Sequence, residues 1–165
     1  MKIGIVMKRN KLNQLLMQRY AGKVIYFKYL PKPHKLAIAW YMAIDGEAWT
    51  LPFDCWDADQ VMIKKLFVRN IYKFDELYGN KKFGVINVPV EVCKEEVMKH
   101  LQGDFKTFED YHNWYVGYGR EKHTRRNAWP CILSDVKDEF LQDGWHRFHR
   151  YIDLKMEKIP CICYI

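Results

Sequence analysis

The sequence predicts an α+β fold, in which a mixed sheet packs against helices. In the first half, Asp45-Gly46 stands between two strand-like segments, residues 36–44 and 47–51, and this dipeptide is a common signal for a two-residue β-hairpin. In the second half, strand-like and helix-like segments alternate along the chain. Hydrophobic residues make up 49% of the sequence, which suffices for a buried core and excludes general disorder.

The other elements of the first half follow from local patterns. Residues 3–7 are predicted as a short strand, and Asn10 as the cap of a helix that runs to about residue 20. Residues 23–30 are rich in β-branched and aromatic side chains and are predicted as a strand, which Pro31 and Pro33 end. With the hairpin, this gives an N-terminal antiparallel β extension of about three strands.

A second helix of this half starts at a capping pattern, Asp57 with Gln60, and is predicted to run to about residue 72. The polar, turn-rich residues 78–82 that follow are the best candidate for a boundary in the chain. The sequence is therefore divided into a basic N-terminal extension, residues 1–84, and a C-terminal domain, residues 85–165.

The C-terminal domain is predicted as a strand, two helices, a polar loop, and then a strand–turn–strand unit that leads into a helix and a last strand. Thr107 is the predicted cap of the second helix. The expected strands are 83–90, 129–133, 139–142 and 159–164, the expected helices are 94–101, 107–116 and 145–154, and the polar loop covers 117–127.

Charge is distributed unevenly between the two halves. Residues 1–84 hold 15 basic and 7 acidic side chains, whereas residues 85–165 hold 12 basic and 13 acidic ones. No acidic residue precedes Asp45, although nine basic residues do. The N-terminal half is therefore expected to attract an acidic partner, either nucleic acid or an acidic protein surface.

Two classes of protein are not expected. The longest apolar run, residues 36–44, is too short to span a bilayer as a helix, and the N-terminal residues lack the pattern of a secretory leader. The five cysteines show no Cys-x-x-Cys pair and are interpreted as reduced, mostly buried thiols of a cytoplasmic protein. They stand at positions 55, 93, 131, 161 and 163.

The segment Asp143-Gly144-Trp145-His146-Arg147 carries the most chemical information. A predicted strand ends at the glycine, and a helix begins at once with a histidine and an arginine in its first turn. The first N–H groups of a helix lack intrahelical partners and carry partial positive charge, so this turn is suited to phosphate. Asp143 is a candidate to cap the helix or to hold a ribose hydroxyl or a metal ion.

The series of segments WPCIL, EFLQ, DGWHRFHRY and IPCICY resembles the ParB/sulfiredoxin superfamily over residues 85–165. In that superfamily a strand–turn–strand unit leads into a Gly-x-[His/Arg]-Arg box that opens a helix. The resemblance implies a mixed sheet with helices and implies phosphate contacts at Gly144, His146 and Arg147. A nucleoside triphosphate with Mg²⁺ is the cofactor that it suggests.

Trp145 departs from the pattern of the better-known members. It replaces the nucleophilic cysteine of sulfiredoxin, which excludes the reduction of a sulfinic acid. It also replaces the glutamate of ParB, which speaks against nucleotide-driven switching as in chromosome segregation. The short chain with an added basic half is more similar to the small nucleases and accessory proteins of phages and plasmids, some of which act against host or plasmid-transfer systems.

Other candidate residues surround this box. His123, Arg125 and Arg126 lie in the polar loop, which is expected to close over a bound phosphate. Tyr111 and Trp114 are candidate aromatic contacts for a base, with a plain hydrophobic core as the alternative. A metal site formed by Asp143, His146 and His149 is a further alternative, although no matching carboxylate cluster accompanies it; otherwise His149 is expected to be a partly exposed surface residue.

Two functions from different classes follow. In the first, the protein binds a nucleotide or nucleic acid at Asp143, Gly144, Trp145, His146 and Arg147; if it is an enzyme, it hydrolyses a phosphoester, with His146 as acid or base and Arg147 offsetting negative charge. In the second, it is a non-enzymatic phage or plasmid inhibitor that binds a host defence protein or nucleic acid through its basic N-terminal half.

Overall fold

The computed structural model describes residues 2–42, 60–101, 103–117, 129–136 and 139–165. Within these ranges the chain forms seven α-helices and five strands, which confirms the α+β class. The helices are α1 (Lys2–Arg19), α2 (Lys32–Trp40), α3 (Gln60–Arg69), α4 (Ile71–Tyr78), α5 (Val90–His100), α6 (Phe108–Val116) and α7 (Trp145–Asp153). The strands are β1 (Lys23–Tyr26), β2 (Lys82–Pro89), β3 (Cys131–Leu133), β4 (Leu141–Asp143) and β5 (Lys158–Tyr164).

The five strands form one mixed sheet in the order β1-β2-β5-β3-β4. β3 runs parallel to β5, and the other neighbouring strands are antiparallel. Because β4 runs antiparallel to β3, the C-terminal end of β4 and the beginning of α7 lie beside the N-terminal end of β3. Asp143 accordingly stands opposite Ile132.

Helices cover both faces of this sheet, because side chains alternate along each strand and both sets are largely apolar. Cys131 and Leu133 point into a core with α1, α5, α6 and α7, which we call the α5–α7 layer. Ile132 and Ile162 point into a core with α2, α3 and α4, which we call the α2–α4 layer. The sheet thus separates two distinct cores.

Two strands predicted in the first half are wrong. Residues 3–7 lie in α1, and residues 36–40 lie in α2. A short, continuous apolar run has no period that distinguishes a strand from a buried helix, and residues 36–40 are buried throughout. Pro31 and Pro33, expected to end a strand, instead begin α2, since proline fits the first turn of a helix.

The predicted N-terminal extension of three antiparallel strands is therefore not found in the described residues, where β1 is the single strand before β2. The hairpin turn Asp45-Gly46 and the strand 47–51 lie outside the described residues. The helix predicted to reach about residue 72 is divided at Asn70 into α3 and α4. Residues 79–81 form the expected turn before β2.

In the second half, the helices and strands match their prediction, with ends displaced by a few residues. The predicted polar loop lies outside the described residues, except for Gly117. The division placed between residues 84 and 85 falls inside β2, which pairs with both β1 and β5, so one sheet joins the two halves. Within the described ranges, none of the helices has the length and hydrophobicity that crossing a membrane requires.

Candidate functional site

The predicted strand–glycine–helix junction is present in the structure. β4 ends at Asp143 and α7 begins at Trp145, while Gly144 adopts φ +96°, a left-handed conformation that favours glycine. Among the described residues, no side-chain hydrogen bond caps the first turn of α7, so the interpretation of Asp143 as its cap is wrong. Gly144 itself occupies the cap position, and Asp143 lies one residue too early. The helix therefore begins with N–H groups that no side chain caps.

Arg147 lies beneath this junction and is almost completely buried, with 3% of its surface exposed. Its Nη2 donates a hydrogen bond of 3.1 Å to the carbonyl oxygen of Pro130. The guanidinium carbon stands 5.6 Å from the centre of the Trp129 ring, a cation–π distance. Its ion pair with Asp143 spans 3.6 Å, which is too long for a hydrogen bond.

Two polar atoms at this junction are left without hydrogen-bond partners among the described residues. They are Nε of Arg147 and Oδ2 of Asp143, and both are buried. A Cβ built on Gly144 would stand 2.8 Å from Nη2 of Arg147, so the guanidinium lies directly against the glycine. Buried polar atoms are rarely left without partners in proteins, so this junction is a candidate site for a further group.

His146 is exposed in the first turn of α7 and turns towards α6. Its Nδ1 stands 2.5 Å from the hydroxyl of Tyr115. Arg147 points instead towards the beginning of β3, so the structure does not bring the imidazole and the guanidinium together. The two residues flank the start of α7 from different sides, one at the surface and one in the core.

A chain of hydrogen bonds runs from α7 into α6 behind His146. His149 is fully buried, and its Nδ1 stands 2.8 Å from Nδ1 of His112. His112 Nε2 stands 2.7 Å from Oδ1 of Asp153, and His149 Nε2 stands 3.2 Å from the Tyr111 hydroxyl. The ring of Tyr115 stacks on that of His149 at 3.7 Å between centroids, which connects this chain to His146.

One arrangement of protons satisfies every bond of this chain when both histidines are neutral. An ionised Asp153 can only accept, so His112 donates from Nε2 and must accept at Nδ1. His149 then donates from Nδ1 and accepts at Nε2 from the Tyr111 hydroxyl. The chain is thus a continuous path of donors from the buried phenol to a carboxylate at the end of α7.

The surroundings keep His149 and Tyr111 neutral. Burial, and then the nearby His112 and His146, lower the pKa of His149 to about 3. Burial raises the pKa of Tyr111 to about 12. The expectation that His149 is a partly exposed surface residue is therefore wrong, because this imidazole is a neutral, fully buried member of the core.

The two predicted aromatic contacts occupy different environments. Tyr111 is 7% exposed and packs edge-on against Phe105 and Phe108, as a core residue does. Trp114 is half exposed and stacks on Tyr111. Trp145 is partly buried, with its ring edge-on to Phe148, so its indole belongs largely to the core of the α5–α7 layer.

The three residues predicted to close over the phosphate, His123, Arg125 and Arg126, lie outside the described residues. Their role, and that of Tyr111 and Trp114 as ligand contacts, stays a prediction.

The described cysteines are core residues. Cys93, Cys131, Cys161 and Cys163 are free and buried, as expected, and burial raises the pKa of Cys131 to about 12, so this thiol is a poor nucleophile. Cys55 lies outside the described residues. In the part of the chain that the structure describes, no three His, Cys, Asp or Glu side chains group together as metal ligands.

Sequence reasoning missed the link between α6 and α7. The signal was present, because residues three or four apart share a face of a helix. Tyr111, His112 and Tyr115 share one face of α6, and His146 and His149 share one of α7. The sequence does not state that these two faces meet.

No protein-family model, curated protein or solved structure matches this chain. The geometry of the junction is therefore the basis for assigning a function.

Proposed function

We propose that this protein binds a phosphate-bearing ligand, either a nucleotide or the end of a nucleic acid, at the beginning of α7. One observation carries the proposal: the buried guanidinium of Arg147 lies directly against Gly144, at a helix start that no side chain caps, and its Nε has no partner among the described residues. Positive charge and backbone donors thus converge on one turn.

Each residue of the junction has a distinct part in this proposal. The N–H groups of Trp145 and His146 face the phosphate oxygens, and Gly144 allows them a close approach. Arg147 supports the anion from below, where a low local dielectric strengthens its field. Asp143 forms an ion pair with that guanidinium and holds it in place.

His146 is the exposed member of the junction and adds a side-chain donor. When the Tyr115 hydroxyl donates to Nδ1, the remaining proton of a neutral imidazole stands on Nε2. In this proposal, that N–H donates to a phosphate oxygen or acts as the acid in hydrolysis of a phosphoester. We propose phosphoester hydrolysis as the reaction if the bound ligand is turned over.

The order of elements supports the same proposal. A β3–β4 hairpin leads through a glycine into α7 and then into β5, which begins one residue before the Ile159-Pro160 pair. This is the arrangement for which the resemblance to the ParB/sulfiredoxin superfamily was stated, and we propose that superfamily as the origin of residues 85–165.

A thermal-shift screen tests the proposal. Nucleoside triphosphates, nucleoside monophosphates and inorganic phosphate are added, with and without Mg²⁺, to the wild type, His146→Ala and Arg150→Ala. A ligand that binds only the folded state raises Tm. We expect at least one phosphate compound to raise Tm of the wild type and of Arg150→Ala, and to raise that of His146→Ala much less.

Arg150→Ala is the matched control, because Arg150 is an exposed basic residue of the same helix, one turn further from its start. Equal shifts for the two variants would show that the phosphate binds elsewhere. A screen in which no phosphate compound shifts the wild type contradicts the proposal outright.

A further inference from the structure

A separate surface of the N-terminal half combines exposed aromatic rings with lysines. Its residues are Tyr26, Lys28, Tyr29, Lys81 and Lys82, which we call the tyrosine–lysine patch. Tyr26 at the end of β1 is 40% exposed, and Tyr29 in the 3-10 turn that follows is 69% exposed. Rings of this size are usually turned into the core, so two of them at one surface call for an explanation.

The backbone holds these five residues together. Tyr26 pairs with Lys82 across β1 and β2, and the N–H of Phe27 donates to the carbonyl oxygen of Lys81. The two tyrosine rings meet edge to face with 6.5 Å between their centroids. The patch is therefore built on paired strands and a 3-10 turn.

The lysines stand beside the rings. Lys28 Nζ lies 5.2 Å from the centre of the Tyr29 ring and 6.0 Å from that of Tyr26. Lys82 Nζ lies 5.6 Å from the centre of the Tyr26 ring. These distances allow cation–π attraction, which keeps the ammonium groups next to the aromatic surface.

These lysines differ from two lysines of α5. Lys94 and Lys99 form ion pairs with glutamates of α5 and α6. Among the described residues, no carboxylate lies within ion-pair distance of Lys28, Lys81 or Lys82. Their positive charge is therefore available to a partner.

We propose that the tyrosine–lysine patch binds single-stranded nucleic acid. Lysines attract the phosphate backbone, and exposed tyrosine rings offer stacking surfaces for unpaired bases. A duplex keeps its bases stacked and hidden, and an acidic protein surface would use the lysines but not the rings. The proposal goes beyond phosphate binding at α7 and does not rest on it.

Fluorescence anisotropy with the full chain tests this. The probes are labelled 20-nucleotide strands of thymidine and of uridine, and an abasic strand of the same length. Removing one stacking platform weakens binding by about tenfold, so we expect this loss for Tyr29→Leu, and recovery of most of the affinity in Tyr29→Phe. The abasic strand should bind the wild type at least about tenfold more weakly than the thymidine strand.

A charge-matched pair of variants separates the patch from general attraction. Lys82→Gln should weaken binding and reduce its salt dependence, whereas Lys99→Gln, which removes a lysine already paired with Glu96, should change neither. Phosphate compounds should raise the Tm of Tyr29→Leu as much as that of the wild type, so that a failure at α7 and a failure at the patch are distinguishable.

Four outcomes would overturn the proposal: no binding by the wild type, equal binding of the abasic strand, an unchanged affinity in Tyr29→Leu, or equal competition by a DNA duplex or by polyglutamate. The last of these would assign the patch to an acidic protein or to duplex DNA. Tyr29 is largely exposed, so its substitution leaves the fold intact, and the Tm of each variant checks this.

Discussion

The two helix layers bury side chains of different chemistry, although they pack on the same sheet. The core of the α2–α4 layer is apolar and rich in phenylalanine, including Phe67 and Phe74. The α5–α7 layer buries His112, Arg147 and His149 as well as apolar residues. Among the described residues, no buried polar or charged residue lies in α2, α3 or α4.

This difference supports the proposal that the chemistry of the molecule lies around α7. Burying an arginine and two histidines costs stability that an apolar core of the same shape would not cost. A fold that keeps them on one face only, next to a glycine-led helix start, concentrates its reactive groups around α7. The α2–α4 layer then supports the sheet, and the tyrosine–lysine patch lies at the β1 edge of that sheet.

The largest effect is expected when the buried arginine is removed. Arg147→Met takes the hydrogen bond from the Pro130 carbonyl and leaves the Asp143 carboxylate without its ion pair, which should lower the free energy of unfolding by about 3–5 kcal/mol. Arg150→Met, an exposed position on the same helix, should change it by less than about 0.5 kcal/mol. Urea unfolding at pH 7.5 measures both losses. Equal losses would show that the buried contacts of Arg147 do not stabilise the fold.

The next effect concerns the glycine above that arginine. In Gly144→Ala, the new Cβ is strained at φ +96° and meets Arg147 Nη2 at 2.8 Å and Cys131 Cα at 3.1 Å, so we expect a loss of about 2–4 kcal/mol. Gly103 is the control, because it has φ +83° with open space around it. Gly103→Ala should lose only about 1–2 kcal/mol. If urea unfolding gives equal losses, backbone strain alone explains Gly144.

The contrast between the layers also explains which parts of the fold are predictable from sequence. Thr107, Gly103 and Gly144 mark helix ends through local chemistry, so the elements after residue 82 are predicted nearly in full. The apolar run at residues 36–40 carries no such mark. Its helix is specified by packing on the sheet, and the prolines before it suit a helix start as well as a strand end.

The candidate site, like the fold, is predictable from sequence only where its residues are close together in the chain. Gly144 and the first turn of α7 are found from local sequence, because a strand, a glycine and a helix follow one another directly. The burial of Arg147 depends on its contact with the segment before β3, where its bonded partner Pro130 is 17 residues away. The chain from Tyr111 to Asp153 depends on the contact of α6 with α7, 31 to 41 residues apart in their bonded pairs. Contacts of that separation leave no local pattern.

The third prediction is that the stability contributed by the α5–α7 layer depends on pH, whereas that contributed by the α2–α4 layer does not. The pKa of His149 is lowered to about 3 in the folded protein, against about 6.5 in the unfolded chain. Between these two pKa values, His149 is protonated in the unfolded chain but neutral in the folded protein. The free energy of unfolding is therefore fully retained above pH 6.5 and falls as the pH drops. The expected loss is about 1.4 kcal/mol per pH unit, or about 2 kcal/mol at pH 5.

Two variants make this a test of His149 itself. His149→Phe removes the group, and its stability should fall less steeply with pH than that of the wild type, whatever its stability at pH 7.5. Phe74→Leu, a fully buried change in the α2–α4 layer, should lower stability by the same amount at every pH. Urea unfolding at pH 5, 6 and 7.5 gives the three slopes, and a wild-type slope shared by His149→Phe would contradict the assignment.

The smallest effect is expected from the N-terminal cap of α6, which helps to fix the position of this helix against α7. The hydroxyl of Thr107 accepts a hydrogen bond of 3.1 Å from the N–H of Asp110, which caps the helix that presents Tyr111 and His112 to α7. Thr107→Ala should cost about 1 kcal/mol, and Thr107→Ser, which keeps the acceptor, should restore most of it. Because the cap is distant from Gly144, Thr107→Ala should keep the phosphate-induced rise in Tm. A variant that unfolds no earlier than the wild type would show that α6 is fixed by packing on α7 alone.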